Sequence, residues 1–295
     1  MAWARTAVGS RRVQLVAAFA AVYVIWGSTY LSIKFAIETM PPLLMAGVRF
    51  FIAGALLYAW VWLRGGVKAR WVDWRTGLIV GGLLLVGGNG VVVVAEQTVP
   101  SSLAALLVAM APVWMALLDW ARPGGMRPSL PVALGLAVGF GGVALLVAGG
   151  SSPSGGSVHL IGLLAVVGAA LSWAAGSLYS QHAPVPESPQ VGTALEMLAG
   201  GAILLVLAVA TGEAGQVHLA TISLKSALAL GYLIVFGSLV AFSAYVWLLR
   251  NTTLARVSTY AYINPVVAVF LGWAFAGEKL TPLTFAAAAV IVAAV

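Results

Sequence analysis

Long apolar runs alternate with short polar breaks along the whole chain, and this alternation predicts ten hydrophobic helices. Crossing the hydrocarbon core of a bilayer takes about 20 apolar residues, each rising about 1.5 Å. The runs that meet this length are 13–34, 44–63, 76–95, 101–119, 129–148, 158–181, 191–211, 224–249, 256–275 and 281–295, the last one short. The breaks between them hold helix-ending residues: Pro41-Pro42, Pro100, Pro123 with Gly124-Gly125, Pro184 through Pro189, and Thr281-Pro282. The longest break, Gly149 to Ser157, reads GGSSPSGGS and has the composition of a flexible linker. It divides the chain into units of 1–150 and 151–295. The first run follows Arg5, Arg11 and Arg12 as a secretory signal would. Its length exceeds a typical signal core and more spans follow, so it reads as a retained first helix.

Charge placement tests the count. With the N-terminus inside, the inner breaks and helix ends hold Arg5, Arg11, Arg12, Arg64, Lys68, Arg70, Arg75, Arg122, Arg127, Arg250 and Arg256. The outer ones hold Lys34, Lys225 and Lys279, and Arg49 is left inside a helix, which accounts for all 15 Lys and Arg. One helix more or fewer would scramble this asymmetry, so the expectation is ten helices with both termini cytoplasmic.

The two halves also echo each other. An offset of 147 pairs Trp26 with Trp173, Pro42 with Pro189, Arg49 with Glu196 and Gly54 with Gly201. An offset of 153 pairs Pro112 with Pro265 and Trp120 with Trp273. A unit of five helices is odd, so its second copy enters the membrane from the opposite side. The expected fold class is therefore an all-α membrane protein, ten transmembrane helices arranged as two inverted five-helix repeats. Many transporters achieve alternating access with this arrangement.

Composition narrows function further. The chain of 295 residues is 62% hydrophobic and only 8% charged, against about 25% charged in soluble domains. The formal charge of +7 falls at the ends of apolar runs, which fits the orientation of helices rather than binding of nucleic acid. The chain has no cysteine, and its three histidines (His159, His182 and His218) have no ligand spacing, so no metal or cofactor is expected. Its only aspartates, Asp73 and Asp119, lie at inner helix ends, and no serine or carboxylate in a span has a histidine beside it. An enzyme is therefore not expected. Gly87-Gly88-Asn89-Gly90 lacks the Lys-Ser/Thr of a phosphate loop and reads as helix packing with local unwinding at Asn89. Gly77-x-x-x-Gly81 and Gly135-x-x-x-Gly139 fit close helix contacts.

Several motifs resemble the EamA family of the drug/metabolite transporter superfamily, and its YedA-like members in particular. They are Ile25-Trp26-Gly27-Ser28-Thr29-Tyr30, Pro41-Pro42 followed by Met45-Ala46-Gly47-Val48-Arg49-Phe50, Gly88-Asn89-Gly90, Val94-Ala95-Glu96, Ser172-Trp173-Ala174, Glu196-Met197-Leu198-Ala199, the stretch from Tyr260 to Val269, and Gly277-Glu278. The resemblance spans essentially the whole chain. It implies a ten-helix inverted-repeat transporter of the bacterial inner membrane that exports amino acids or related metabolites. Many members carry a Gly-Glu after the fourth helix as well, where this chain has Arg122-Pro123-Gly124-Gly125, so Glu278 is not read as half of a symmetric pair.

The candidate residues follow from depth in the membrane. Charges inside spans are costly and mark function first. Arg49 lies about 9 Å below one surface and Glu196 as deep from the other, roughly 12 Å apart along the normal, so each needs its own partner. By depth, Glu96 suits Arg49 and Arg250 suits Glu196, giving two charge pairs as candidates for anchoring, gating or coupling. Glu196, the one carboxylate expected well inside a span, is the candidate proton carrier. Mid-membrane polar and aromatic residues are the candidates for substrate contact: Trp26, Ser28, Thr29, Tyr30, Asn89, Trp173, Tyr179, Tyr245, Tyr260, Tyr262 and Asn264. Pro112 and Pro265, at matched positions, are the expected helix kinks. The expected partners are a small-molecule substrate such as an amino acid or an amphipathic drug-like compound, membrane lipids, and protons as the candidate coupling ion. The protein is expected to act as a monomer or weak homodimer. A secondary transporter or exporter is the expected function, with a facilitative uniporter or a pore as the alternative.

Overall fold

The computed structural model describes residues 2–65, 68–125, 160–184 and 188–278, with isolated positions at 130, 134, 138, 282, 285, 286 and 289. Side chains are described from Arg11 onward, apart from those of residues 255 and 262. Every regular element among the described residues is helical. Among the described residues, seven helices are long and apolar enough to cross a membrane: α1 (Arg11–Ile37), α2 (Pro42–Leu63), α3 (Trp71–Ala95), α4 (Ser101–Ala121), α5 (Leu160–His182), α6 (Pro189–Ala210) and α7 (Leu224–Asn251). A shorter eighth, α8, covers Tyr260–Ala276. They fall on eight of the ten predicted runs. The other two, 129–148 and 281–295, lie almost wholly outside the described residues, as do Gly135 and Gly139.

Local chemistry sets the ends. Pro42 and Pro189 occupy the first turns of α2 and α6, where a missing N–H costs nothing. The Ser223 hydroxyl caps α7 by accepting from the Ser226 amide. Gly277, with φ of 65°, ends α8, and the Glu278 amide bonds back to the Gly272 carbonyl at 3.1 Å. Only glycine adopts that left-handed turn without strain.

Contacts between helix ends reveal the threading. Lys34 near the end of α1, Glu38 just past it, Leu44 at the start of α2, Ser101 at the start of α4, Glu213 after α6, Lys225 at the start of α7 and Glu278 after α8 bond to one another on one face. Gly162 near the start of α5 packs on Thr98 and Val99 at the same face. At the opposite face, Val61 of α2 clusters with Val191 and Leu195 of α6, and Gln181 of α5 bonds to the Leu249 carbonyl of α7. So α1, α3, α6 and α8 run one way, and α2, α4, α5 and α7 the other.

The largest interface joins α2 to α6 through glycines. A Cβ on Gly54 would lie 2.7 Å from the Leu198 amide nitrogen, and one on Gly201 would lie 2.5 Å from that of Phe51. The offset of 147 that relates Gly54 to Gly201 also relates Phe51 to Leu198, so the contact is reciprocal. Gly81 of α3 likewise meets the Glu196 carbonyl backbone to backbone, as its GxxxG spacing predicts. Large apolar side chains such as Leu56, Val206, Phe236, Phe270 and Phe275 point outward, as a lipid-facing surface requires.

Two local expectations change. Pro112 does not kink a continuous helix: α4 is interrupted at Ala109–Met110 and restarts with Pro112 in the first turn of its second segment. The proline ring cannot fit against the carbonyl four residues back, so the helix ends ahead of it. Pro265, its counterpart, stays inside unbroken α8. The glycine-rich stretch around Asn89 is not unwound; Gly81–Gly90 is a π-helical segment within α3. A matching segment, Leu233–Phe242, lies in α7, and a short one, Ala21–Ile25, in α1.

Candidate functional site

The two long π-helical segments face a cavity in the middle of the bundle. The wider π turn misaligns backbone groups, and side chains of the opposite half use them. Ser172 of α5 donates to the Leu83 carbonyl in α3 at 2.8 Å, and the Trp26 indole of α1 donates to the Gly237 carbonyl in α7 at 3.2 Å. The cavity holds about 640 Å³ of atom-free space, part of it open toward its mouth. It draws its walls from α1, α2, α3 and α4 on one side and α5, α7 and α8 on the other.

One wall is an aromatic cluster. Trp26 meets Trp173 edge to face, with ring centroids 5.3 Å apart and planes at 84°, and meets Tyr260 at 5.7 Å and 90°. Tyr245 sits behind both tryptophans, 4.8 Å from Trp26 and 5.4 Å from Trp173. Its hydroxyl accepts from the Trp173 indole at 3.0 Å and bonds to the Ser177 hydroxyl at 2.7 Å. These contacts lock the rings into one geometry.

The lining also carries charge. Arg49 of α2 is 2% exposed, and its guanidinium lies 4.5 Å over the Phe50 ring. Its Nε donates to the Ser238 hydroxyl of α7 at 2.9 Å, while Nη1 has no hydrogen-bond partner among the described residues. Gly237 makes room for it, since a Cβ there would lie 2.9 Å from Nη2.

Of the predicted contact residues, Trp26, Thr29, Tyr30, Asn89, Trp173, Tyr260 and Asn264 line the cavity. Tyr245 does not; it is the buttress behind the tryptophans. Ser28 turns away to bond Tyr232, and Tyr179 packs at the edge of the main core. The Tyr262 side chain falls outside the described residues. Depth along a helix fixes a residue's level but not its azimuth, which explains these departures.

The charge pairs also differ from expectation. Arg49 and Glu96 lie within electrostatic range, but no ion pair within 4 Å joins them, and both Glu96 oxygens lack hydrogen-bond partners among the described residues. Glu196 and Arg250 likewise lie within electrostatic range with no ion pair within 4 Å between them, and both Glu196 oxygens and the Arg250 Nε and Nη1 lack hydrogen-bond partners among the described residues. Arg49 reaches Ser238 instead, a partner that a search for opposite charge passes over. A direct ion pair does form between Lys34 Nζ and Glu278, at 2.8 Å. Glu278 also accepts from the Ser101 hydroxyl at 2.7 Å and the Ser101 and Ser102 amides at 3.1 and 3.3 Å. It thus caps the N-terminus of α4 from the far end of the chain.

The described residues contain no group of three or more His, Cys, Asp or Glu placed to hold a metal. The EamA-like transporter family model matches the sequence twice, over residues 14–148 and 160–295. The chain belongs to the EamA-like transporter family. It is 42% identical over 285 residues to YedA of Escherichia coli strain K12, described as an uncharacterized inner membrane transporter, covering 95% of this chain and 89% of that one. A Probable amino-acid metabolite efflux pump of the same organism is 26% identical, over 92% of this chain and 89% of that protein. One solved crystal structure shares the fold, with a TM-score of 0.67 and 20% identity over 96% of this chain and 95% of the other. As an EamA-like transporter, the chain is expected to act in a membrane on a small molecule, which agrees with a central cavity and membrane-length helices.

Proposed function

We propose that this protein is a secondary transporter of the bacterial inner membrane that moves a small amphipathic metabolite by alternating access between two inverted five-helix repeats. The observation that carries the reading is the cavity, because both halves build it and counterpart tryptophans, Trp26 and Trp173, meet in its wall. Residues related by a two-fold axis can touch only where they lie near that axis. The reciprocal Gly54–Leu198 and Gly201–Phe51 contacts support the same axis, and the offset of 152 between the π segments agrees with the repeat. Counterpart helices α1 and α5 run in opposite directions, as inversion demands. The reading also accounts for α4 finishing on one face while α5 starts on the other. The double match of the family model supports the duplication, and a relative described as a Probable amino-acid metabolite efflux pump supports this class of solute.

Aromatic edges and faces with a few polar groups suit a solute that has an apolar side chain and a polar head. Amino acids and amphipathic drug-like compounds have that form. Glu196, 1% exposed with both oxygens lacking partners among the described residues, is the carboxylate proposed to carry a coupling proton.

Proteoliposomes test the mechanism. A carrier preloaded with unlabelled leucine or phenylalanine should accumulate labelled substrate transiently by counterflow, and its uptake should saturate. Linear, unsaturable flux without counterflow would identify a pore and overturn the proposal. For coupling, Glu196→Gln should flatten the pH dependence of uptake; an unchanged profile removes Glu196 from that role.

A further inference from the structure

The cavity's polar groups are unequal in kind, and the difference specifies a ligand. Its only charged lining group among the described residues is Arg49, held on one edge by Ser238 and left with a free Nη1. A buried guanidinium with an unsatisfied donor is costly, because it has given up water without gaining an acceptor. The other polar groups are neutral. Asn89 Oδ1 and Asn264 Oδ1 are both buried and without partners among the described residues, and both residues line the same space. Around them stand Trp26, Trp173, Tyr260, Phe50 and Phe242.

We infer that Arg49 is the anchor for a substrate carboxylate, with the amide oxygens of Asn89 and Asn264 receiving the substrate's ammonium and the aromatic wall receiving its side chain. This rests on the transporter reading of the cavity and assigns the polar ends of its ligand. A guanidinium fork matches a carboxylate in plane, and the guanidinium–carboxylate bond is charge-assisted. An ammonium needs acceptors without a competing cation, and neutral amide oxygens supply them. A phosphate dianion is a poor match, since the lining offers one cation and Glu96 lies within electrostatic range of it.

Binding to the purified full-length protein in lipid nanodiscs tests this with a series of phenyl compounds. The probes are L-phenylalanine, L-phenylalaninamide, phenethylamine, 3-phenylpropanoate and phenyl phosphate. Phenylalanine should bind about 10- to 100-fold more tightly than its amide or the amine, the loss expected for one charge-assisted contact. The propanoate, which keeps the Arg49 contact alone, should fall between. Arg49→Gln should erase the preference for phenylalanine over its amide, and Arg49→Lys should retain part of it. Equal binding of acid and amide by the wild type, or tighter binding of phenyl phosphate, would overturn the assignment without needing any variant. So would an Arg49→Gln protein that folds and keeps the preference. If none of the series binds while proteoliposomes show counterflow of another solute that depends on Trp26, the anchor is wrong and the cavity reading stands. If flux is also indifferent to Trp26→Ala, the cavity reading fails as well.

Discussion

Removing the Glu278 carboxylate separates two contributions to the stability of one bundle face. In Glu278→Ala, Lys34 loses its partner, but its side chain is 31% exposed, so the ammonium can turn to water at small cost. The amides of Ser101 and Ser102 cannot move, because they are the first N–H groups of α4 and are buried. Two orphaned amides at about 1–2 kcal/mol each give a loss of about 2–4 kcal/mol. Glu278→Gln keeps an acceptor oxygen for the helix end and loses only the charge assistance, about 1 kcal/mol. Denaturation in mixed micelles, read by tryptophan fluorescence, resolves the two. If the Ala and Gln variants are equally destabilised, or if Ala lies within 1 kcal/mol of wild type, the helix-capping argument is wrong. The same pair gives a pH test. Burial raises the Glu278 pKa, but hydrogen bonds from Lys34, Ser102 and Ser101 and the Lys34 charge outweigh it and hold the pKa below its ordinary 4.5. A depressed carboxylate contributes fully above its unfolded value and loses the contribution as pH falls through the folded one. The gap between wild type and Glu278→Gln should therefore stay constant from about pH 7 to 5 and close only in stronger acid.

Three further outcomes follow from the packing. Gly201→Ala places a Cβ 2.5 Å from the Phe51 nitrogen and should destabilise by about 1–3 kcal/mol, whereas Gly231→Ala, with nothing within 4 Å, should gain up to about 1 kcal/mol in the same assay. Tyr245→Phe orphans the Trp173 indole and should cost about 1–2 kcal/mol; it should also weaken ligand binding, which unchanged affinity would contradict. Glu96→Gln should be neutral or stabilising, because burial and the like charge of Glu278 outweigh the Lys34 and Arg49 charges and neither oxygen has a partner among the described residues. A clear loss of stability would instead restore the direct Arg49–Glu96 pair.

The spans were legible in sequence because helix breakers punctuate them, and Pro42, Pro100 and Pro189 stand at helix ends as read. The tryptophans of the cavity were legible too, because a repeat offset marks Trp26 and Trp173 as counterparts. Azimuth was not. Ser28 and Thr29 are neighbours, yet one turns to Tyr232 and the other into the cavity. The π segments escaped notice because an unbroken apolar, glycine-rich run looks the same at any helical pitch. Glu278 was visible as a motif, but its partners lie 177 and 244 residues away, beyond what spacing along the chain can pair.

The Glu278 clasp has a consequence for the balance between access states. On the proposed inverted-repeat mechanism, the two access states would arise when the halves exchange conformations, so each contact in one state would map onto its counterpart in the other. Trp26–Trp173 maps onto itself, and Gly54–Leu198 maps onto Gly201–Phe51, so on that mechanism these contacts would persist and form the pivot. Lys34–Glu278 maps onto Gln181 and Gly125, which carry no charge. The state clasped by Lys34 and Glu278 would therefore have an ionic lock that its mirror state would lack. On the proposed mechanism, the empty protein would rest toward that clasped state before any gradient is applied.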